Sequence, residues 1–152
     1  MAPESPSEHA SAVLAGARAV LIRGAAGAGK SRLAFALIGA AQTGLLRFAL
    51  LVADDRVQLE ACHGRLMVRP PPALAGLIEV RGIGIRRLEY EALAIVGLVV
   101  DLAAEDAERL PTAGDTVISG IRLPRLAIAP GGDPLQPVIA AITTAGDIKS
   151  RS

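Results

Sequence analysis

Apolar residues in this chain fall into short blocks separated by turn formers. Ala12–Val13–Leu14 and Ala19–Val20–Leu21–Ile22 flank Ala15–Gly16–Ala17–Arg18. The second block stops just before Gly24 and reads as a buried strand, because a short continuous apolar run bounded by turn residues suits that role. From Ser31 to Ala41 the only Gly or Pro is Gly39, and Leu33, Leu37 and Ala40/Ala41 share one helical face. That spacing predicts a helix. Leu45–Ala53 is the next apolar run, and it ends abruptly in Asp54–Asp55.

Farther along, Val57, Leu59 and Ala61 alternate with polar residues, and so do Leu66 and Val68. The pattern predicts a hairpin with its turn near His63–Gly64. Pro70–Pro71–Pro72 forbids continuation as a central strand. Leu77–Ile85 reads as a short strand interrupted by Gly82 and Gly84, and Ala92–Leu102 as a buried strand. Ala104–Leu110 predicts a helical turn, Thr116–Ile128 one or two edge strands around Pro124, and Leu135–Thr144 a terminal helix. No internal repeat or second domain is visible. The expectation is one strand-rich α/β domain over residues 9–146, with tails at 1–8 and 147–152.

Composition narrows the function. The chain has 152 residues and a formal net charge of +1, so neither a basic nucleic-acid footprint nor an acidic disordered chain is expected. With no Trp, two Phe and one Tyr it offers no stacking platform for single strands. A single cysteine, Cys62, excludes an internal disulfide framework and any multi-cysteine metal site. Cys62 is most simply a strand residue, and His63 an exposed hairpin tip. The longest apolar run, Ala92–Val100, is far shorter than the roughly 20 residues of a membrane span. Met1–His9 lacks the basic start of a signal peptide, so the expected location is the cytoplasm.

One segment carries specific chemistry. Gly24-Ala25-Ala26-Gly27-Ala28-Gly29-Lys30-Ser31 fits G-x-x-x-x-G-K-S/T between an apolar strand and a helix. Backbone N–H groups must turn together toward a phosphate there, and side chains would obstruct the wrap. The start of the helix adds its positive dipole end. Lys30 is expected to bridge the β- and γ-phosphates, and the Ser31 hydroxyl to ligate Mg²⁺.

Asp54–Asp55 ends an apolar strand downstream of this loop, where a metal-related or catalytic carboxylate belongs. Adjacent strand side chains point in opposite directions, so one acid faces the γ-phosphate while the other orients a neighbour. A solvated acidic turn is the simpler alternative. Glu79-Val80-Arg81-Gly82-Ile83-Gly84-Ile85 places an acid, a base and two glycines in an apolar stretch. Close approach of a ligand or backbone explains such glycines, and so does a bulged surface strand. His9 and Arg109 are unremarkable on their own.

Taken in order, these segments resemble the catalytic domain of HPr kinase/phosphorylase. His9–Val13 precedes the phosphate loop, Leu51–Val57 is similar to the family's second motif, and Glu79–Ile85 to its signature E-[IV]-R-G-[LI]-G. The likeness covers roughly Glu8 to Ala145, and the chain resembles the short proteobacterial form that consists of the kinase domain alone.

The resemblance implies a P-loop kinase domain of the phosphoenolpyruvate-carboxykinase-like type. It implies transfer from ATP, with Mg²⁺, to a serine of the phosphocarrier HPr in the sugar phosphotransferase system. It further implies a homo-oligomer, a hexamer in the family, and neither nucleic acid nor membrane as partner. By position, Gly24, Ala25, Ala26, Gly27, Ala28, Gly29, Lys30 and Ser31 would bind ATP, and Ser31 and Glu79 would hold Mg²⁺. Asp54 would take the serine proton, with His9, Lys30 and Arg109 as further active-site residues.

Ala26 stands where relatives often carry Ser, a tolerable change because the backbone does the cradling. Ala129 and Gly132, in Ile128–Asp133, stand where the family's dephosphorylation motif has arginines. Losing two cations there should weaken the reverse reaction. Two other readings are a P-loop kinase of a small metabolite and a non-catalytic ATP-sensing module.

Overall fold

The structure is a computed structural model, and it describes residues 6–107 and 114–144. Eleven strands and two helices follow the order β1 (Ser7–His9), β2 (Ser11–Ala15), β3 (Arg18–Arg23), α1 (Lys30–Gln42), β4 (Ala49–Ala53), β5 (Arg56–Cys62), β6 (Arg65–Arg69), β7 (Leu77–Val80), β8 (Gly84–Arg87), β9 (Ala94–Asp101), β10 (Gly114–Ile118), β11 (Ile121–Ala127) and α2 (Leu135–Thr143). The domain is strand-rich α/β, as the apolar pattern predicts.

The main sheet runs β1-β5-β6-β9-β3-β2-β4, with β11 and then β10 added beside β9. β9 lies parallel to β3 from Ala19↔Val96 to Arg23↔Asp101. Its opposite edge is shared. Ala94 and Ile95 pair antiparallel with β6, while Val99–Asp101 pair parallel with β11. β9 therefore has three neighbours.

Both faces of the central strands are covered, which is why β3 and β9 read as continuous apolar runs. Val13, Val20, Ile22 and Leu51 pack beneath Leu33, Leu37 and Ala40 of α1. Ala12, Leu21, Val52 and Val99 face the other way, onto Val57, Leu66 and Val68 of the β5–β6 hairpin. The turn of that hairpin sits where the alternation predicts. His63 (φ 52°) and Gly64 (φ 77°) are both left-handed, the pairing a tight two-residue hairpin needs.

Several expectations change. Ser7 and Glu8, expected in a tail, form β1 with His9 by pairing antiparallel with Arg56–Gln58. Leu77–Ile85 is not one interrupted strand. It is most of the β7–β8 hairpin, in which Glu79 pairs with Ile85. Gly82 (φ 88°) and Gly84 (φ 101°) turn the chain where a side chain would be strained.

Thr116–Ile128 contains two strands, but their turn is at Ser119–Gly120 and Pro124 lies within β11. Pro124 is tolerated because β11 pairs with β9 only from Arg125 onward. The predicted helical turn at Ala104–Leu110 is a non-helical turn as far as Ala107, and the rest lies outside the described residues.

Candidate active site

The phosphate loop joins β3 to α1 as its pattern predicts. Gly29, with φ 102°, stands immediately before the helix, which starts at Lys30. Gly24 is required by space: a Cβ there would lie 3.0 Å from the Ala28 Cβ and 3.3 Å from the Leu102 Cβ. Lys30 is buried, at 7% exposure. Its Nζ donates to the carbonyl oxygens of Gly24, at 2.8 Å, and Ala25, at 3.3 Å. The ammonium therefore folds back over the loop it belongs to.

Asp54 is the hub of the site. At 5% exposure it follows β4, and three donors reach its carboxylate. Ser31 Oγ donates to Oδ1 at 2.6 Å, Ser11 Oγ to Oδ1 at 2.8 Å, and the Glu79 backbone N–H to Oδ2 at 3.1 Å. A carboxylate offers about four acceptor positions, so one on Oδ2 is left to receive a proton. The carboxylate thus ties together α1, β2 and β7.

Asp54 and Asp55 lie in the turn between β4 and β5, not on a strand, and there the Asp54 side chain is buried while that of Asp55 is exposed. Asp55 has a left-handed backbone, φ 67°. Its Oδ1 lies 4.0 Å from His9 Nδ1. Arg56 Nη2 stands 3.0 Å from His9 Nε2. A guanidinium only donates, so Nε2 accepts and Nδ1 is the nitrogen that faces Asp55.

Of the residues singled out in the sequence, the structure brings Lys30, Ser31 and Asp54 together with the loop Gly24–Gly29. Glu79 joins them through its backbone, while its side chain is exposed on β7. His9 stands on the Asp55 side of the acid pair. Arg109 lies outside the described residues.

Two elements escaped the sequence reading. Ser11 is fully buried and joined to both acids. It lies in the His9–Val13 stretch, where it stands out only as a polar residue among apolar ones. The second is an ionic cluster at the ends of β3, β9 and β11. Arg23 grips Asp101 bidentately, at 2.7 and 2.9 Å. Arg125 donates to Asp101 through Nε, and to Asp106 at 2.9 and 3.0 Å. Burial pushes the Asp101 carboxyl up, but the guanidinium groups of Arg23 and Arg125 outweigh it and hold it below the usual carboxylate range. The Asp106 and Asp101 carboxylates raise the Arg125 guanidinium further still.

The donors suit Mg²⁺. It prefers hard oxygen ligands and is usually bound by one or two carboxylates together with substrate phosphates, rather than by an all-protein cage. Ser31 and Asp54 bring such oxygens together, whereas Glu79 reaches the site through its backbone N–H and keeps its carboxylate exposed. Among the described residues no group of three His, Cys, Asp or Glu side chains is placed to hold a metal ion.

The fold and the loop define a strand-rich P-loop domain. The family model for the HPr Serine kinase C-terminal domain matches residues 3–128, and the chain belongs to that family. It is 36% identical over 83 residues to an HPr kinase/phosphorylase of Clostridium tetani, covering 55% of this chain and 24% of that protein. Against an HPr kinase/phosphorylase of Clostridium beijerinckii it is 41% identical over 66 residues, covering 43% and 20%. The chain thus spans less than a quarter of the length of these curated relatives. The solved Hpr(Ser) kinase/phosphatase of Coxiella burnetii superposes with a TM-score of 0.75 at 25% identity, over 91% of this chain and 94% of that one. No helix among the described residues is long and apolar enough to cross a membrane.

Proposed function

We propose that this chain is an ATP- and Mg²⁺-dependent kinase that phosphorylates a serine of the phosphocarrier HPr, as part of sugar phosphotransferase regulation in the cytoplasm. Membership of the HPr serine kinase family supports the substrate. The observation that carries the chemistry is the 2.6 Å bond from Ser31 to Asp54, which links the phosphate loop to a buried carboxylate with one acceptor position open. By family resemblance the working form is a homo-oligomer, with the hexamer as the expected size.

The loop amides Gly24–Gly29 and Lys30 cradle the triphosphate, and Lys30 exchanges the carbonyls of Gly24 and Ala25 for phosphate oxygens. Ser31, with Glu79, would hold Mg²⁺, and the ion would neutralise phosphate charge. Ser31 would offer oxygen lone pairs to the metal while its own O–H stays hydrogen-bonded to Asp54 Oδ1. The substrate serine oxygen attacks the γ-phosphorus, the bond to the β–γ bridging oxygen breaks, and ADP leaves. The serine proton passes to the open position on Asp54 Oδ2. Catalysis of this kind is mostly positioning and charge neutralisation.

The exposed Asp55, beside His9, favours a second assignment of the proton acceptor. Asp54 would then only position Ser31. Arg109 remains a proposed active-site residue by resemblance.

The reverse reaction, attack of inorganic phosphate on phosphoserine, is proposed to be weak. Ala129–Gly132 forms a tight turn, closed by the Gly132 N–H on the Ala129 carbonyl at 3.0 Å, and carries no cation. Arg125, just upstream, is committed to Asp101 and Asp106. The deciding experiment incubates the protein with purified HPr, Mg²⁺ and labelled ATP. Serine-bound label is expected. ATP binding without transfer would favour the sensing module, and transfer only to small molecules the metabolite kinase.

A further inference from the structure

We infer that Ser11 is a positioning residue that sets both acids of the site through one hydroxyl. The inference rests on the proposed phosphotransfer reading and adds to it a residue on β2 that lies outside the phosphate loop and the acid pair. Ser11 is fully buried in a strand whose other inward positions are apolar. A buried hydroxyl costs stability unless it is hydrogen-bonded, and this one is bonded in both senses. It donates to Asp54 Oδ1 at 2.8 Å and accepts the Asp55 N–H at 3.1 Å.

The two bonds have different consequences. On Asp54, the hydroxyls of Ser11 and Ser31 both occupy Oδ1, and the Glu79 amide takes one position on Oδ2. The open position is thereby confined to Oδ2, and the carboxylate cannot rotate without breaking two bonds. On Asp55, the accepted N–H secures a backbone in the left-handed region, φ 67°. The Asp55 carbonyl accepts from the N–H of Ala10, the residue just before β2, at 3.2 Å. Residues 10 and 11 therefore clasp the acid turn from both sides. Both hydrogen bonds described for the Ser11 hydroxyl run to the acid pair, so its effect on rate is exerted through Asp54 and Asp55.

The test compares wild type, Ser11→Ala and Ser11→Thr, which keeps the hydroxyl. In nucleotide-free protein, amide hydrogen exchange at Asp55 should accelerate at least about tenfold in Ser11→Ala, since its acceptor is gone. Amides of the β5–β6 hairpin should be unchanged, which shows that the variant is folded. Loss of a group that orients an active-site ligand typically costs about 10- to 100-fold in activity. That loss should appear in kcat for HPr phosphorylation, with ADP affinity and the KM for HPr unchanged, and Ser11→Thr should restore it.

Transfer by Ser11→Ala at the wild-type rate, or unaltered exchange at Asp55, would overturn the inference. So would parallel loss of ADP affinity and melting temperature, which marks a merely structural residue. Hydrolysis of ATP without HPr separates the two readings. If wild type hydrolyses ATP but does not modify HPr, the substrate assignment falls. Ser11 then stands if hydrolysis drops in Ser11→Ala and falls if it does not. A wild type that neither transfers nor hydrolyses overturns both.

Discussion

Ser31 in the first turn of α1 and Asp54 after β4 are joined by a hydrogen bond of 2.6 Å. The residue that follows the loop lysine is thereby coupled to a carboxylate just past the end of β4, 23 positions later in the chain. The Ser31 O–H is already directed at Asp54 Oδ1, so the oxygen lone pairs of Ser31 face other partners. That relationship shapes the first two predictions.

Lys30→Ala removes a buried ammonium whose only bonds described here are to Gly24 and Ala25 carbonyls. A hydrogen bond to a charged group contributes about 1.5–3 kcal/mol, so ATP affinity should fall about 10- to 100-fold. Calorimetry measures this directly. Transfer should be abolished while circular dichroism stays native, and undiminished affinity would remove Lys30 from the phosphate cradle.

Asp54→Asn and Asp55→Asn discriminate between the two proton acceptors. Loss of a general base costs about 10²–10⁴-fold in rate. Asp54→Asn should show that loss in single-turnover transfer to HPr, with ATP still bound. It should also lower stability, because an amide cannot accept on both of its former oxygens. With its carbonyl under Ser11 and Ser31, its NH₂ faces the Glu79 N–H, donor against donor. If Asp55→Asn alone produces the loss, the exposed acid is the base.

Serine-phosphorylated HPr, Mg²⁺ and millimolar phosphate should yield little pyrophosphate. Two anions must come together in that direction, and like unit charges 4 Å apart repel by about 4 kcal/mol at an effective dielectric near 20. Guanidinium groups offset such repulsion, and the turn Ala129–Gly132 has none. Pyrophosphate release at a rate comparable to the forward reaction would show that these positions do not govern it.

Stability should depend on Asp101 in acid. Its folded carboxyl titrates below its ordinary value of 3.8, so its contribution is present above that value and is lost as pH falls through the folded one. Wild type should therefore lose urea resistance as the pH falls below 3.8. In Asp101→Asn that portion of the loss should be missing. At pH 7 the variant should be less stable by about 2 kcal/mol, the scale of hydrogen bonds to charged groups. An unchanged acid dependence in the variant would show that the cluster does not contribute.

What could be read from the sequence follows the range over which each feature is determined. The phosphate loop, α1 and the His63–Gly64 hairpin depend on residues within a turn or two of each other, and all three stand where the pattern puts them. Leu77–Ile85 misled because glycines at alternate positions fit a bulged strand and a hairpin turn equally well. Only the positive φ angles at Gly82 and Gly84 decide it. β1 was hidden because its partner, Arg56–Gln58, lies more than 40 residues away. The Arg23–Asp101 pair spans 78 positions, and no local pattern announces it. At the site, the Asp54–Asp55 dipeptide was visible, but Ser11 became meaningful only once β2 and β4 were paired.

The three neighbours of β9 have a consequence for how the chain is made. The strand that carries the phosphate loop, β3, is complete at residue 23, yet the partner for its second edge begins at residue 94. During synthesis β3 and the hairpin β5–β6 therefore wait, each with a bare edge, for one late strand to enter between them. Long-range pairing of this kind is slow, and bare edges invite association with other chains. Once Asp101 has emerged, a single insertion joins the β2–β3–β4 half, with its phosphate loop, to the β5–β6 hairpin and provides the edge on which β11 docks. The phosphate loop is thus synthesised well before the strand that carries it is enclosed.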